Sequence, residues 1–164
     1  MLESAILIAH RGNTMGRNEQ RENDPLYLQE AIANGFRVEV DIWFVDGKLM
    51  LGHDSPQYEV GIKFIEGDNF WCHAKNKEAL FVLSQNKSVN VFWHENDKFT
   101  LTSWDDIWTY PGNFTEGCII NQFEWFMQSL PMNEENARNT ILSISQGKPF
   151  KGVCSDWVGL LKTE

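Results

Sequence analysis

The sequence predicts an α/β fold: a TIM-like (β/α) barrel in trimmed form, with some helices shortened or missing. Three observations lead there. An apolar run from Ala5 to Ala9, an amphipathic segment opening at Pro25 and an alternating run from Arg37 follow one another as strand, helix, strand, the order of parallel pairing. Further along, about six or seven strand-like runs stand against about three convincing helices. A complete eightfold barrel takes ~250 residues and rarely fewer than ~200, whereas this chain has 164.

The first strand ends in His10-Arg11-Gly12-Asn13, which sets a base and a fixed cation at a strand's C-terminal edge. Ligands bind at that edge in parallel α/β folds. Residues 14 to 23 are polar and read as a loop over it. Glu22-Asn23-Asp24-Pro25 is a helix start, with Asp24 as the cap and Pro25 in the first helical position, and Asn34-Gly35 ends that helix.

The next strand carries the chemistry. Val38, Val40 and Ile42 alternate with Glu39 and Asp41, so one face is apolar and the other holds two carboxylates. Asp46-Gly47 is a hairpin turn, and Leu49 to Leu51 form a return segment that delivers His53-Asp54 toward the acids. Two acids and a returning histidine make a metal-and-base constellation; the same pattern also fits a solvated strand face.

A strand is expected to begin near Phe70 in the run from Asn69 to Lys75, residues 76 to 86 read as a helix, and Val89 to Trp93 as a fourth strand ending in the polar tip His94-Glu95-Asn96-Asp97. Phe99 to Thr102 and Ile107 to Tyr110 suit a hairpin, with no crossover helix between residues 97 and 117. A strand from Gly117 to Asn121, a helix opening at Asn133 or the acids after it, and a closing strand in the run from Gly152 to Trp157 complete the order. The tryptophans Trp71, Trp93, Trp108 and Trp157 are expected in the core or packed at the barrel mouth.

Composition narrows the function classes. A chain that is 42% hydrophobic and 13% aromatic can bury the core of one domain spanning residues 1–164. The net charge of −9, with no cationic block, argues against nucleic acid as a partner. No apolar run approaches the ~20 residues of a membrane span, and Met-Leu-Glu-Ser has no basic region of the kind a secretory signal carries. Cys72, Cys118 and Cys154 lie in apolar runs without paired spacing, so buried thiols in a reducing, cytoplasmic setting are expected. Missing helices could leave apolar surface for a second copy of the chain to cover.

Ile8-Ala9-His10-Arg11-Gly12, Glu22-Asn23, Ala31-Ile32 with Gly35, Glu39-x-Asp41, Asp46-Gly47 and His53-Asp54 occur in order and at matching spacing. Over residues 5 to 54 this resembles the glycerophosphodiester phosphodiesterase family, within the PI-phospholipase-C-like phosphodiesterases. The resemblance implies metal-dependent hydrolysis of a small phosphodiester, in which a substrate hydroxyl beside the phosphate attacks first and gives a cyclic phosphate. His10 and His53 would divide general acid and base, in an order the sequence leaves open. Arg11 and Lys75 would meet the phosphate, Glu39 and Asp41 would hold a divalent ion (Mg²⁺ or Ca²⁺), and Glu22, Asn13 and Asp156 would neighbour the substrate.

Position 73 departs from the family, which has an acid two residues before its lysine. Here His73 precedes Lys75. Imidazole can ligate a metal, but it removes one negative charge and favours softer ions. Glu95 and Glu124 are the substitutes if His73 does not serve. The alternative function is a catalytically weak barrel that only binds a phosphorylated ligand.

Overall fold

In the computed structural model, which describes residues 2–162, the chain is organised around β1 (Ile6–His10) and β2 (Arg37–Val45). These two are parallel neighbours in one ten-stranded sheet. On the far side of β2 lie β5 (Phe70–Ala74) and β6 (Val91–Phe92). On the far side of β1 lie β10 (Gly152–Ser155), β9 (Ile119–Asn121) and β8 (Ile107–Thr109), all parallel. Antiparallel additions finish both flanks: β3 (Lys48–Leu51) and β4 (Tyr58–Val60) extend from the tip of β2, and β7 (Phe99–Leu101) pairs β8.

Each helix starts where the local chemistry satisfies its free amides. Asp24 caps α1 (Pro25–Ala33) by accepting from the Leu26 amide, with Pro25 in the first turn. Asn76 caps α2 (Lys77–Ser84), and Asn133 caps α3 (Glu134–Ser145). Their apolar sides, including Leu28, Ala31, Ala79, Leu83, Ala137 and Ile141, pack with Val38, Val40 and Ile42 in the main core.

The opposite face of the sheet has its own small core of Ile8, Trp71, Phe92, Trp108, Ile119 and Cys154, which come from β1, β5, β6, β8, β9 and β10. Residues on strands at the two ends of the parallel ladder therefore touch: Phe92 stacks on Trp108 with ring centroids 4.6 Å apart. Burying large side chains such as these stabilises by about 1.5–3 kcal/mol each and holds the sheet curled. The ladder itself does not close. A turn bridges the gap, with the Ser103 amide donating to the Val91 carbonyl at 2.8 Å and the Val91 amide to Ser103 Oγ at 2.9 Å. The architecture is thus mixed α/β with a curled, mostly parallel sheet.

Several elements differ from the sequence reading. The strand expected over Val89 to Trp93 pairs with β5 only at Val91 and Phe92. β4 was not expected, because Tyr58-Glu59-Val60 is too short to show a period. As expected for residues 97 to 117, no crossover α-helix follows β6; between β6 and α3 the described chain holds β7, β8, β9 and a 3₁₀ turn, Phe123–Phe126. Phe99 and Leu101 of β7 are correspondingly exposed. The three cysteines are buried and unpaired, and no helix among the described residues is long and apolar enough to cross a membrane.

Asn76 ties the second helix to the sheet. Its Oδ1 accepts from the Ala79 and Phe44 amides at 3.0 and 3.1 Å, and its Nδ2 donates to the Phe44 carbonyl at 3.0 Å. Asn76→Ala is therefore expected to cost about 2–3 kcal/mol, one cap plus two stranded backbone groups. Asn76→Asp keeps the cap and should cost less. Urea denaturation of both variants checks this, and equal losses would contradict it.

Candidate metal centre and cleft

The concave face of the parallel ladder gathers polar residues at the strands' C-terminal ends. Pairing sets His10 beside Glu39, and Asp41 beside His73. Alternation thus places all four on the face opposite Val38 and Val40. Glu39 and Asp41 are almost wholly buried, at 2% and 0% exposure. The solvated strand face is excluded.

β1 ends in a sharp reversal. Arg11 takes a left-handed backbone at φ 53°, while its amide still bonds the Glu39 carbonyl at 3.0 Å. Gly12 follows at φ 92°, and a Cβ there would lie 2.8 Å from the Tyr27 ring, so only glycine fits. This turn sends the Arg11 guanidinium inward, with Nε 2.9 Å from Asp41 Oδ2 and Nη1 3.2 Å from Glu22 Oε2.

Asn23, also left-handed at φ 63° and fully buried, holds Asp41 twice. Its Nδ2 donates to Asp41 Oδ2 at 3.1 Å, and its Oδ1 accepts the Asp41 amide at 2.9 Å. Lys75 Nζ is 3.5 Å from Asp41 Oδ1. Burial alone would raise the Asp41 pKa, but the charges of Arg11 and Lys75 work against it, and the group is held below the ordinary carboxylate range. Glu39 has weaker support. Burial and the neighbouring Asp41 charge push its pKa up.

His10 donates from Nδ1 to Asp156 Oδ1 at 2.8 Å, leaving Nε2 3.8 Å from Glu39 Oε2. Asn13 braces the same Asp156 oxygen at 2.8 Å and reaches Glu22 at 3.0 Å. Asp156, braced by Asn13, thus orients His10. Glu22 is likewise occupied by Arg11, Asn13 and Arg17, and it sits beside the metal-type cluster without joining it.

His53 follows Gly52, whose φ of 146° and closeness to the Ser55 carbonyl leave no room for a side chain. The Gly52 amide bonds the Asp41 carbonyl at 3.1 Å, which carries His53 to the same end of the sheet. His53 is more exposed than His10, and its Nδ1 lies 2.7 Å from Asp54 Oδ1. Partial burial lowers its pKa despite the Asp41 charge.

One cleft of about 280 Å³ is lined by His10, Arg11, Glu39, His53 and His73, with His94, Tyr110, Asn121, Gln122 and Trp125 among the others. The sequence reading passed over Asn23, Tyr110, Asn121, Gln122 and Trp125. Asn23 lay inside a helix-start pattern that explained it without a site. Asn121 ends β9, Tyr110 and Gln122 follow strand ends and Trp125 lies in a 3₁₀ turn, so their approach to the cleft depends on how the sheet curls.

A metal fits the residues present. Glu39, Asp41 and His73 each offer a ligand atom, and these atoms lie within 4.8 Å of one another. Glu39 Oε2 and Asp41 Oδ1 are buried without a hydrogen-bond partner, the state a coordinated oxygen would show. The two substitutes lie elsewhere. Glu124 accepts from Ser155 Oγ at 2.7 Å and from the Asp156 amide, and Glu95 is exposed.

The His10–Asp156 pair predicts a pH signature. Burial lowers the His10 pKa, yet the Asp156 bond and the Glu39 charge raise it overall, above 6.5. Burial raises Asp156, yet the bond and charge of His10 and the bond from Asn13 lower it overall, below 3.8. The His10 contribution is present below 6.5 and fades as pH rises through its raised value. The Asp156 contribution is present above 3.8 and fades as pH falls through its lowered value. Asp156→Asn should therefore cost most at about pH 5–6, around 2 kcal/mol, and less at about pH 3 and 9. Urea unfolding across pH measures this, and a difference independent of pH would contradict it.

No protein-family model matches the chain, and no curated protein does.

Proposed function

We propose that this protein is a metal-dependent phosphodiester hydrolase built on a trimmed TIM-like barrel, acting on glycerophosphodiesters or similar small phosphodiesters. The observation that carries the reading is the single cleft in which two histidines flank a buried three-donor cluster. The resemblance of residues 5 to 54 to the glycerophosphodiester phosphodiesterases points the same way. A volume of about 280 Å³ suits a small, water-soluble ligand.

A divalent cation, when bound, would neutralise phosphate charge and polarise the P–O bonds. The chain's own groups handle the protons. The environments of the two histidines move their pKa values apart, His10 upward and His53 downward, the arrangement that suits an acid and a base. His53 takes the proton of the attacking hydroxyl. His10, held by Asp156, gives one from Nε2 to the leaving alkoxide. Lys75 supplies positive potential at the Asp41 end, and Arg11 supports it although two of its nitrogens are already engaged with Asp41 and Glu22.

Release of the free alcohol from glycerophosphodiesters, with and without divalent ions, is the test. His10→Ala and His53→Ala should each lower kcat by ~10²–10⁴-fold. With a nitrophenyl leaving group, which departs unprotonated, the His10→Ala loss should shrink at least ~10-fold while the His53→Ala loss persists. Equal losses for both substrates would refute the division of roles. Saturable ligand binding without turnover would favour the phospho-ligand-binding alternative.

A further inference from the structure

We infer that the Glu39–Asp41–His73 cluster selects a borderline transition-metal ion of the Mn²⁺ or Co²⁺ type over Mg²⁺ and Ca²⁺, with His73 Nδ1 as a nitrogen ligand. This rests on reading the cleft as a metal centre and specifies which ion that centre takes.

The argument starts from the far side of the imidazole. His73 Nε2 lies 3.0 Å from the His94 carbonyl oxygen. A carbonyl only accepts, so Nε2 carries the hydrogen and the neutral ring has its lone pair on Nδ1. That lone pair faces Asp41 Oδ1 at 3.2 Å and Glu39 Oε1 at 3.8 Å. Three acceptors turned toward one point repel one another unless a cation lies between them. A second proton on Nδ1 would serve Asp41, but at 3.8 Å it would not hydrogen-bond Glu39. One metal ion serves all three.

The ring is also held as a ligand should be. It stacks on Phe92 with centroids 5.2 Å apart and planes 3° from parallel. The His94 carbonyl is the outer-shell acceptor that fixes the tautomer and raises the basicity of a metal-bound imidazole. Independent of the ring, Asp41 Oδ1 and Glu39 Oε2 are buried without a hydrogen-bond partner, and the Lys75 ammonium 3.5 Å from Asp41 Oδ1 offsets charge only on the Asp41 side.

The donor set then decides the ion. Mg²⁺ and Ca²⁺ prefer all-oxygen shells, and two carboxylates give them less charge than three. An imidazole nitrogen strengthens binding along the transition series instead.

The test is calorimetric titration of the full chain with MgCl₂, CaCl₂, MnCl₂ and CoCl₂ separately, together with pulsed EPR of the Mn²⁺-loaded protein. Mn²⁺ and Co²⁺ should bind at least ~100-fold more tightly than Mg²⁺, with a ¹⁴N coupling from a directly bound imidazole. His73→Asp, its fold checked by circular dichroism, should tighten Mg²⁺ ~10-fold, weaken Co²⁺ ~10-fold and abolish the coupling. Mg²⁺ binding as tightly as Mn²⁺, or Mn²⁺ bound without nitrogen coupling, would overturn this inference while leaving a metal-dependent hydrolase intact. Failure of all four ions to bind would overturn both.

Discussion

Two carboxylates that share one strand face and are both withdrawn from water set the terms for this structure. Glu39 and Asp41 project from β2 into the concavity of a curled sheet, where an uncompensated charge costs several kcal/mol. The surroundings answer unequally. Asp41 receives Arg11, Lys75 and both ends of the Asn23 amide, and is held ionised. Glu39 receives no comparable partner, and its pKa rises. A divalent cation would settle Glu39 as Arg11 settles Asp41.

Much of the local backbone follows from serving that pair. The left-handed turns at Arg11 and Asn23 carry backbone strain of order 1–3 kcal/mol each, and they bring a guanidinium and an amide onto the same carboxylate. Gly12 and Gly52 permit the close chain reversals that deliver Arg11 and His53. A further layer consists of groups that hold the holders: Asn13 on Asp156, Asp156 on His10, and the His94 carbonyl on His73. Positions fixed by such successive contacts are held to a narrow geometry.

The sequence made the strand chemistry legible because alternation has a fixed period. It put Glu39 and Asp41 together on one face and the valines on the other. Capping chemistry did the same for the starts of α1 and α3, since Asp24-Pro25 and Asn133 have few other uses in those settings. Depth was not legible. A strand with one polar face looks the same whether the sheet lies flat in water or curls around that face, and the curl depends on contacts between distant strands such as Phe92 on Trp108. For the same reason the bracing of His10 by Asp156 and Asn13 was not legible. The role of His73 turned on a carbonyl 21 residues away, which no local pattern could supply.

We propose that a cation belongs between Glu39, Asp41 and His73. Anomalous diffraction from crystals grown with MnCl₂, recorded on both sides of the manganese edge, tests it most directly. One strong peak is expected about 2.0–2.3 Å from a Glu39 oxygen, Asp41 Oδ1 and His73 Nδ1. A peak elsewhere, or none, with His73 Nδ1 hydrogen-bonded to Asp41 in its place, would contradict it.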